Sequence, residues 1–222
     1  MPEDKTPDLN LAPRSPLHGL ALPGRLGHAK GHAKGDAGVT IREIQNVQIS
    51  LVLARNGHTA ETAHALSTLT GVEVPDRATR ASTATGNATS TAITAATGVA
   101  PGQWLITRRA SSDPVLNDEL TAKLAGLARV IDQSHSRLVL DVSGPRARDA
   151  LAKGVALDLD PAVFKPGSAA QTAASHINLQ IALLDAVPTF EIMTASSSAA
   201  SFWSWLTASC AEYGVDVMKP TA

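Results

Sequence analysis

Cysteine is nearly missing from this chain. Cys210 stands alone among 222 residues, so no internal disulfide can form and no thiolate metal cluster can be built from the chain itself. Aromatic residues make up only 3%, too few for the stacking platforms that bind single-stranded nucleic acid. Charge of one sign is not in excess either. The 19 basic and 20 acidic residues leave a formal net charge of −1, which lacks the basic footprint of a phosphate-backbone binder. Nucleic acid is therefore disfavoured as a partner. No apolar run approaches the ~20 residues of a membrane span. The segment Met1-Pro2-Glu3-Asp4-Lys5 has no basic region followed by an apolar stretch, so no secretory signal is expected and a soluble, cytoplasmic protein is.

Phosphate-binding and nucleophile motifs are also missing. Gly19, Gly24 and Gly27 lack both a preceding strand and the GxGxxG spacing of a dinucleotide loop. No GKS or GKT loop is present, and Ser143-Gly144-Pro145 is not the G-x-S-x-G of a nucleophile elbow.

What is there is an α+β pattern. Hydrophobic residues reach 44%, enough for a core, with Ala, Val, Leu and Ile doing most of the filling. Residues 1–38 carry Pro, Gly, His and Lys without apolar periodicity and are expected to form a flexible arm. The arm contains a direct repeat, Gly27-His28-Ala29-Lys30 and Gly31-His32-Ala33-Lys34. His28 and His32 would meet one metal only on a helix, which the flanking glycines oppose. Apolar residues at 47, 49, 51 and 53 predict a half-buried strand. Thr59 is placed to cap a helix through Leu69 that Gly71 ends. Residues 76–90 read as a long, poorly ordered connection. Strands follow at Ser90–Thr97 and Gln103–Arg108, then a helix opened by Asp113-Pro114 and a short strand at Arg129–Asp132.

The second half repeats that order. Arg137–Val142 is a strand, Gly144-Pro145 opens a helix through Lys153, and Gln171–Leu184 and Thr189–Thr194 are paired strands. A helix from Ser198 to Tyr213 and a strand at Val215–Val217 complete it. Each half thus reads strand–helix–strand–strand–helix–strand, the split βαβ (ferredoxin-like) arrangement. Two α+β units are expected, at 39–132 and 133–222, after the arm.

Few residues invite chemistry. Asp132, Ser134 and His135 fall within four positions, which suggests a triad. A triad is defined by spatial geometry, however, and a polar turn with local side-chain to backbone bonds explains the same residues. His176, beside Asn178 on a predicted strand, reads as a surface or interface residue. Cys210, on an apolar helix, reads as a small buried hydrophobe. Phe202, Trp205 and Leu206 share one helix face and are expected in the core, while Trp203 points elsewhere and is open to contact with another subunit or to neither role.

The run VIDQSHSRLVLDVSGPRARDALAKGVALDLDP, residues 130–161, resembles the signature stretch of sarcosine oxidase gamma subunits. Pro101-Gly102-Gln103-Trp104-Leu105-Ile106 is similar to a strand opening in these proteins and in aminomethyltransferase-like folate proteins. Gln171-Thr172, Thr189-Phe190-Glu191, the Ser-rich lead-in to a Trp-containing helix and Ser15-Pro16-Leu17 fit the same resemblance. It implies the fold of the folate-binding domain of aminomethyltransferases. It also implies a place in a complex of alpha, beta, gamma and delta subunits that oxidises sarcosine to glycine. In that family FAD, FMN and NAD sit chiefly in alpha and beta, zinc sits in delta, and tetrahydrofolate takes up the one-carbon unit. No catalytic, cofactor-binding or metal residue is therefore assigned to this chain. A folate-binding module in its own right remains an alternative, with Glu191 or Asp141 as the carboxylate facing the pterin, as does a small hydrolase using Ser134 and His135.

Overall fold

A computed structural model of the chain describes residues 14–27, 37–77, 79–87, 90–109 and 115–221, with backbone alone between 83 and 92. Two antiparallel ferredoxin-like units are built in sequence order. The first consists of β3 (Gln48–Ala54), α1 (Thr59–Thr70), β4 (Arg80–Asn87), β5 (Ser90–Ala100), β6 (Gln103–Arg109), α2 (Leu116–Lys123) and β7 (Ala128–Asp132). The second consists of β8 (Arg137–Ser143), α3 (Ala147–Ala152), β9 (Ala169–Ala174), β10 (Ile177–Leu183), β11 (Thr189–Ala195), α4 (Ala199–Cys210) and β12 (Val215–Val217). Two further strands, β1 (Gly24–Leu26) and β2 (Val39–Glu43), precede both units.

The five-stranded sheet runs β4-β5-β6-β3-β7, the ferredoxin-like order with β4 added at one edge. The seven-stranded sheet runs β1-β12-β2-β8-β11-β10-β9. It has the same core order, with β9 added in the position that β4 takes in the first. In addition β2 is inserted between β8 and β12, antiparallel to β8 and parallel to β12. A strand from near the start of the chain therefore closes the sheet made by its end.

The described part of the expected flexible arm is ordered. Leu17 is 2% exposed, within the core of the seven-stranded unit. β1 pairs with β12, from Gly24↔Val217 to Leu26↔Val215. An apolar anchor and a free sheet edge override the composition. His28 and His32 lie outside the described residues. The expected connection at 76–90 contains β4, which pairs with β5 from Arg80↔Thr97 to Asn87↔Ser90. Its alternating Thr and small residues suit a ladder, which needs no apolar run.

The layers are helices, sheet, sheet, helices. On β3, Val52 packs with Leu66 of α1 and Leu116 and Leu120 of α2, while Ile49, with Val47 just before the strand, meets Leu105 of β6, Val139 of β8 and Met193 of β11. Both faces of β3 are covered, since strand side chains alternate and each sheet has helices on one side and the other sheet on its second. α1 begins after His58, which makes no side-chain cap, instead of being capped by Thr59; Gly71 closes it in the left-handed conformation. The N-terminus of α2 is held by β3, whose Gln48 Oε1 accepts from the Leu116 amide.

On α4 the buried stripe is Ala199, Phe202, Trp203, Leu206 and Cys210, one position round from the stripe expected. Trp203 is 8% exposed, inside the core. Trp205 flanks it, its ring 5.6 Å from that of Phe202 and lying over Gly154, where an added Cβ would stand 2.8 Å from the indole. The expectation of Trp203 as a subunit contact is corrected. Small residues at 199 and 210 let the sheet approach the helix on Trp203's side.

Phe202→Ala is expected to cost about 3–5 kcal/mol, and Gly154→Ala about 1–3 kcal/mol by overpacking. Val163→Ala, at a position 60% exposed, should stay within about 0.5 kcal/mol. Denaturant unfolding of the three variants checks the order.

Candidate functional site

Strand parity puts charge between the sheets. On β6, Leu105, Thr107 and Arg109 point away from the helices; on β8 Val139 and Asp141 do so, and on β11 Glu191 and Met193. The apolar members of these rows meet in one cluster, and the charged ones meet beside it. Arg109 donates from Nη1 and Nη2 to the two oxygens of Asp141 at 2.9 and 2.8 Å. Its Nη2 also donates to Glu191 Oε2. Arg80 of β4 closes the network on Glu191, with Nη1 2.9 Å from Oε1 and Nη2 donating to Oε2 at 3.1 Å. Side-chain exposure is 1% for Glu191 and 5% for Arg80. Two guanidiniums and two carboxylates make the cluster formally neutral, the condition under which burial of charge is tolerated.

Burial alone would lower the Arg109 pKa. Hydrogen bonding and attraction from Asp141 and Glu191 reverse that effect and hold the guanidinium above its ordinary range. Arg109 Nε, Thr107 Oγ1 and Gln180 Nε2 are buried nearby without hydrogen-bond partners among the described residues. A cavity of about 200 Å³, lined by Arg80, Arg109, Ser82 and Leu183, adjoins the network. Asp141 and Glu191, the carboxylates considered for a pterin, are thus both already committed to guanidiniums.

The Asp132–Ser134–His135 cluster is a polar turn. Asp132 Oδ1 accepts from the Ser134 amide at 2.9 Å and from its hydroxyl at 2.6 Å, and Ser134 Oγ accepts from the Ile49 amide. Partial burial raises the Asp132 pKa, but the two Ser134 donors outweigh it and hold the carboxyl below its usual range. Serine here bonds directly to aspartate; a triad requires histidine between them. His176 lies in the turn between β9 and β10, with Ser175 at φ 56° before it, because the single expected strand 171–184 is a hairpin. Cys210 is fully buried, and desolvation, only partly opposed by Lys153, pushes its thiol up to about 12.

Among the described residues no three His, Cys, Asp or Glu side chains are grouped to hold a metal ion, and no helix is long and apolar enough to cross a membrane.

The sequence profile of the sarcosine oxidase gamma subunit family matches residues 56–212, more than half of the chain. The chain belongs to the sarcosine oxidase gamma subunit family. Among solved structures, this gamma-family chain is similar to one in heterotetrameric sarcosine oxidase from Corynebacterium sp. U-96, in complex with pyrrole 2-carboxylate. The identity is 26% and the TM-score 0.70, over 90% of this chain and 95% of that one. The fold is also that of the glycine cleavage system aminomethyltransferase T from Bartonella henselae, at 16% identity and a TM-score of 0.58. That match covers 77% of this chain and 45% of the transferase. No curated protein sequence matches.

The sequence reading passed over Arg80 and Arg109. Their signal was strand parity: Asp141 and Glu191 stand inside apolar strands, RLVLDVS and TFEIMTA, where a carboxylate needs a cation on the facing sheet.

Arg109→Met, which leaves two carboxylates facing a single guanidinium, should cost about 3–5 kcal/mol in denaturant unfolding. Cys210 should resist an aromatic disulfide reagent at pH 8 in the native state and react on unfolding. The folded thiol's raised pKa contributes stability that is complete below the unfolded value of about 9. That contribution is lost as pH rises from there toward about 12. Unfolding titrations at pH 8 and 10.5, with Cys210→Ala as control, measure it.

Proposed function

We propose that this chain is the accessory, non-catalytic gamma subunit of a heterotetrameric sarcosine oxidase, which oxidatively demethylates sarcosine to glycine. The observation that carries this reading is the match to a chain of such an enzyme over nearly the full length of both. The chemistry of the chain agrees with it. The carboxylates between the sheets neutralise guanidiniums, the Ser134–His135 turn is not a triad, and the only cysteine is buried and held as a thiol. None is poised to react with a substrate.

In this reading alpha, beta and delta subunits are the partners. FAD, FMN and NAD, with zinc in delta, are bound by those partners. The one-carbon unit passes to tetrahydrofolate or leaves as formaldehyde at a site they form. The gamma subunit contributes a folded surface, and assembly stabilises it by mass action. A gamma-type subunit of a related oxidase for another N-methyl amino acid would have the same features. The folate-module alternative finds no free carboxylate at Asp141 or Glu191.

Co-expression of the tagged chain with the alpha, beta and delta subunits of the proposed complex should give an assembly of four chains, yellow from bound flavin and active on sarcosine. A stable, colourless chain recovered alone would overturn the assignment. A four-chain complex active on a different N-methyl amino acid would keep the accessory role and change the substrate.

A further inference from the structure

A second cavity, of about 370 Å³, opens beside the Ser134 turn. Its walls are the Ile44–Val47 corner between β2 and β3, the turn leading into β8, and Ser196 after β11. At the corner Asn46 takes a φ of 55°, a left-handed conformation that asparagine tolerates better than most residues.

The charges lining this cavity are unbalanced. Arg14 and Arg137 line it with one carboxylate, Glu43, so the lining is formally positive in a chain whose net charge is −1. Glu43 is 7% exposed and is satisfied within the chain, accepting from the Ser15 hydroxyl at 2.5 Å and from Gln45 Nε2 at 3.3 Å. Arg137 differs. Its Nε and Nη2 both donate to one neutral oxygen, Gln133 Oε1, at 3.0 and 2.7 Å. Among the described residues it makes no salt bridge, in contrast to Arg80 and Arg109. Burial lowers its pKa with no carboxylate to oppose it. A half-buried guanidinium with a neutral partner retains donors in the fork geometry that matches a carboxylate or phosphate. The volume is that of a small-ligand site.

We propose that this cavity binds a small organic anion, its carboxylate or phosphate group seated on the Arg137 guanidinium, with Arg14 supplying a second positive charge at the exposed rim. His135 and Ser196 add polar lining, and Val47, Ile49 and Val139 apolar lining. The site is separate from the network of Arg80, Arg109, Asp141 and Glu191, and its existence does not depend on the subunit reading.

The test is thermal unfolding of the full chain, alone or in its complex, titrated at constant ionic strength with inorganic phosphate, with acetate, and with chloride as reference. A saturable rise in melting temperature with phosphate or acetate beyond chloride is expected, and the stronger of the two identifies the anion class. Arg137→Gln should weaken that half-saturation tenfold or more, the scale of a lost charge-assisted bond. Arg129→Gln, an exposed arginine outside the cavity, should leave it unchanged. If Arg137→Gln does not fold, Arg14→Gln decides, with a few-fold weakening expected. No saturable effect of either anion, or one that the cavity variants leave untouched, would overturn the proposal.

Discussion

Arg109 reaches from one sheet to two carboxylates on the other, and the face-to-face arrangement of the two units depends on that contact. Each sheet buries one face under its own helices and must cover the second. Here the cover is the other sheet, with Ile49, Leu105, Val139 and Met193 on the apolar side and Arg80, Arg109, Asp141 and Glu191 on the charged side. An apolar layer alone would tolerate sliding of one sheet over the other. Paired charges in a dry layer do not, since any shift leaves a buried ion without its partner. Register between the sheets is therefore set by electrostatics, and the strength of the contact by hydrophobic burial.

The insertion of β2 acts in the same direction. It leaves the seven-stranded sheet at Glu43 and the chain resumes at Gln48 as β3, between β6 and β7 in the five-stranded sheet. Neither sheet can separate without straining the four-residue corner between them. The same corner, with the Ser134 turn where β7 gives way to β8, frames the cavity around Arg137. Both chain crossings between the units thus meet at one place. Arg80, Arg109, Asp141 and Glu191 hold the two sheets in register, which suits a subunit whose proposed part is to present a rigid surface.

Much of the fold was legible in the sequence, because alternation and turn residues mark most strands directly. The repeated strand–helix order was visible without any sequence identity between the halves. Other features were not. β4 is built from Thr, Ala, Ser and Gly, so it carries no apolar signal, and only pairing with β5 reveals it. Leu17 and β1 lie in a segment whose composition reads as disordered, and one buried leucine with a free sheet edge orders it. On α4 the face was misassigned by one position, since Ala199 and Cys210, not the large residues, define which side the sheet approaches. The charged layer was half legible: Asp141 and Glu191 were noticed as strand carboxylates, but their shared partner Arg109 lies 32 and 82 residues away from them, and no local pattern connects them.

Calorimetry of the full chain tests the linked-sheet arrangement most directly. One unit locked through the Arg109 layer predicts a single transition whose calorimetric and van't Hoff enthalpies agree, and in which Arg109→Met lowers the whole transition together. Two separable transitions in the unaltered chain, one for each sheet, would contradict it.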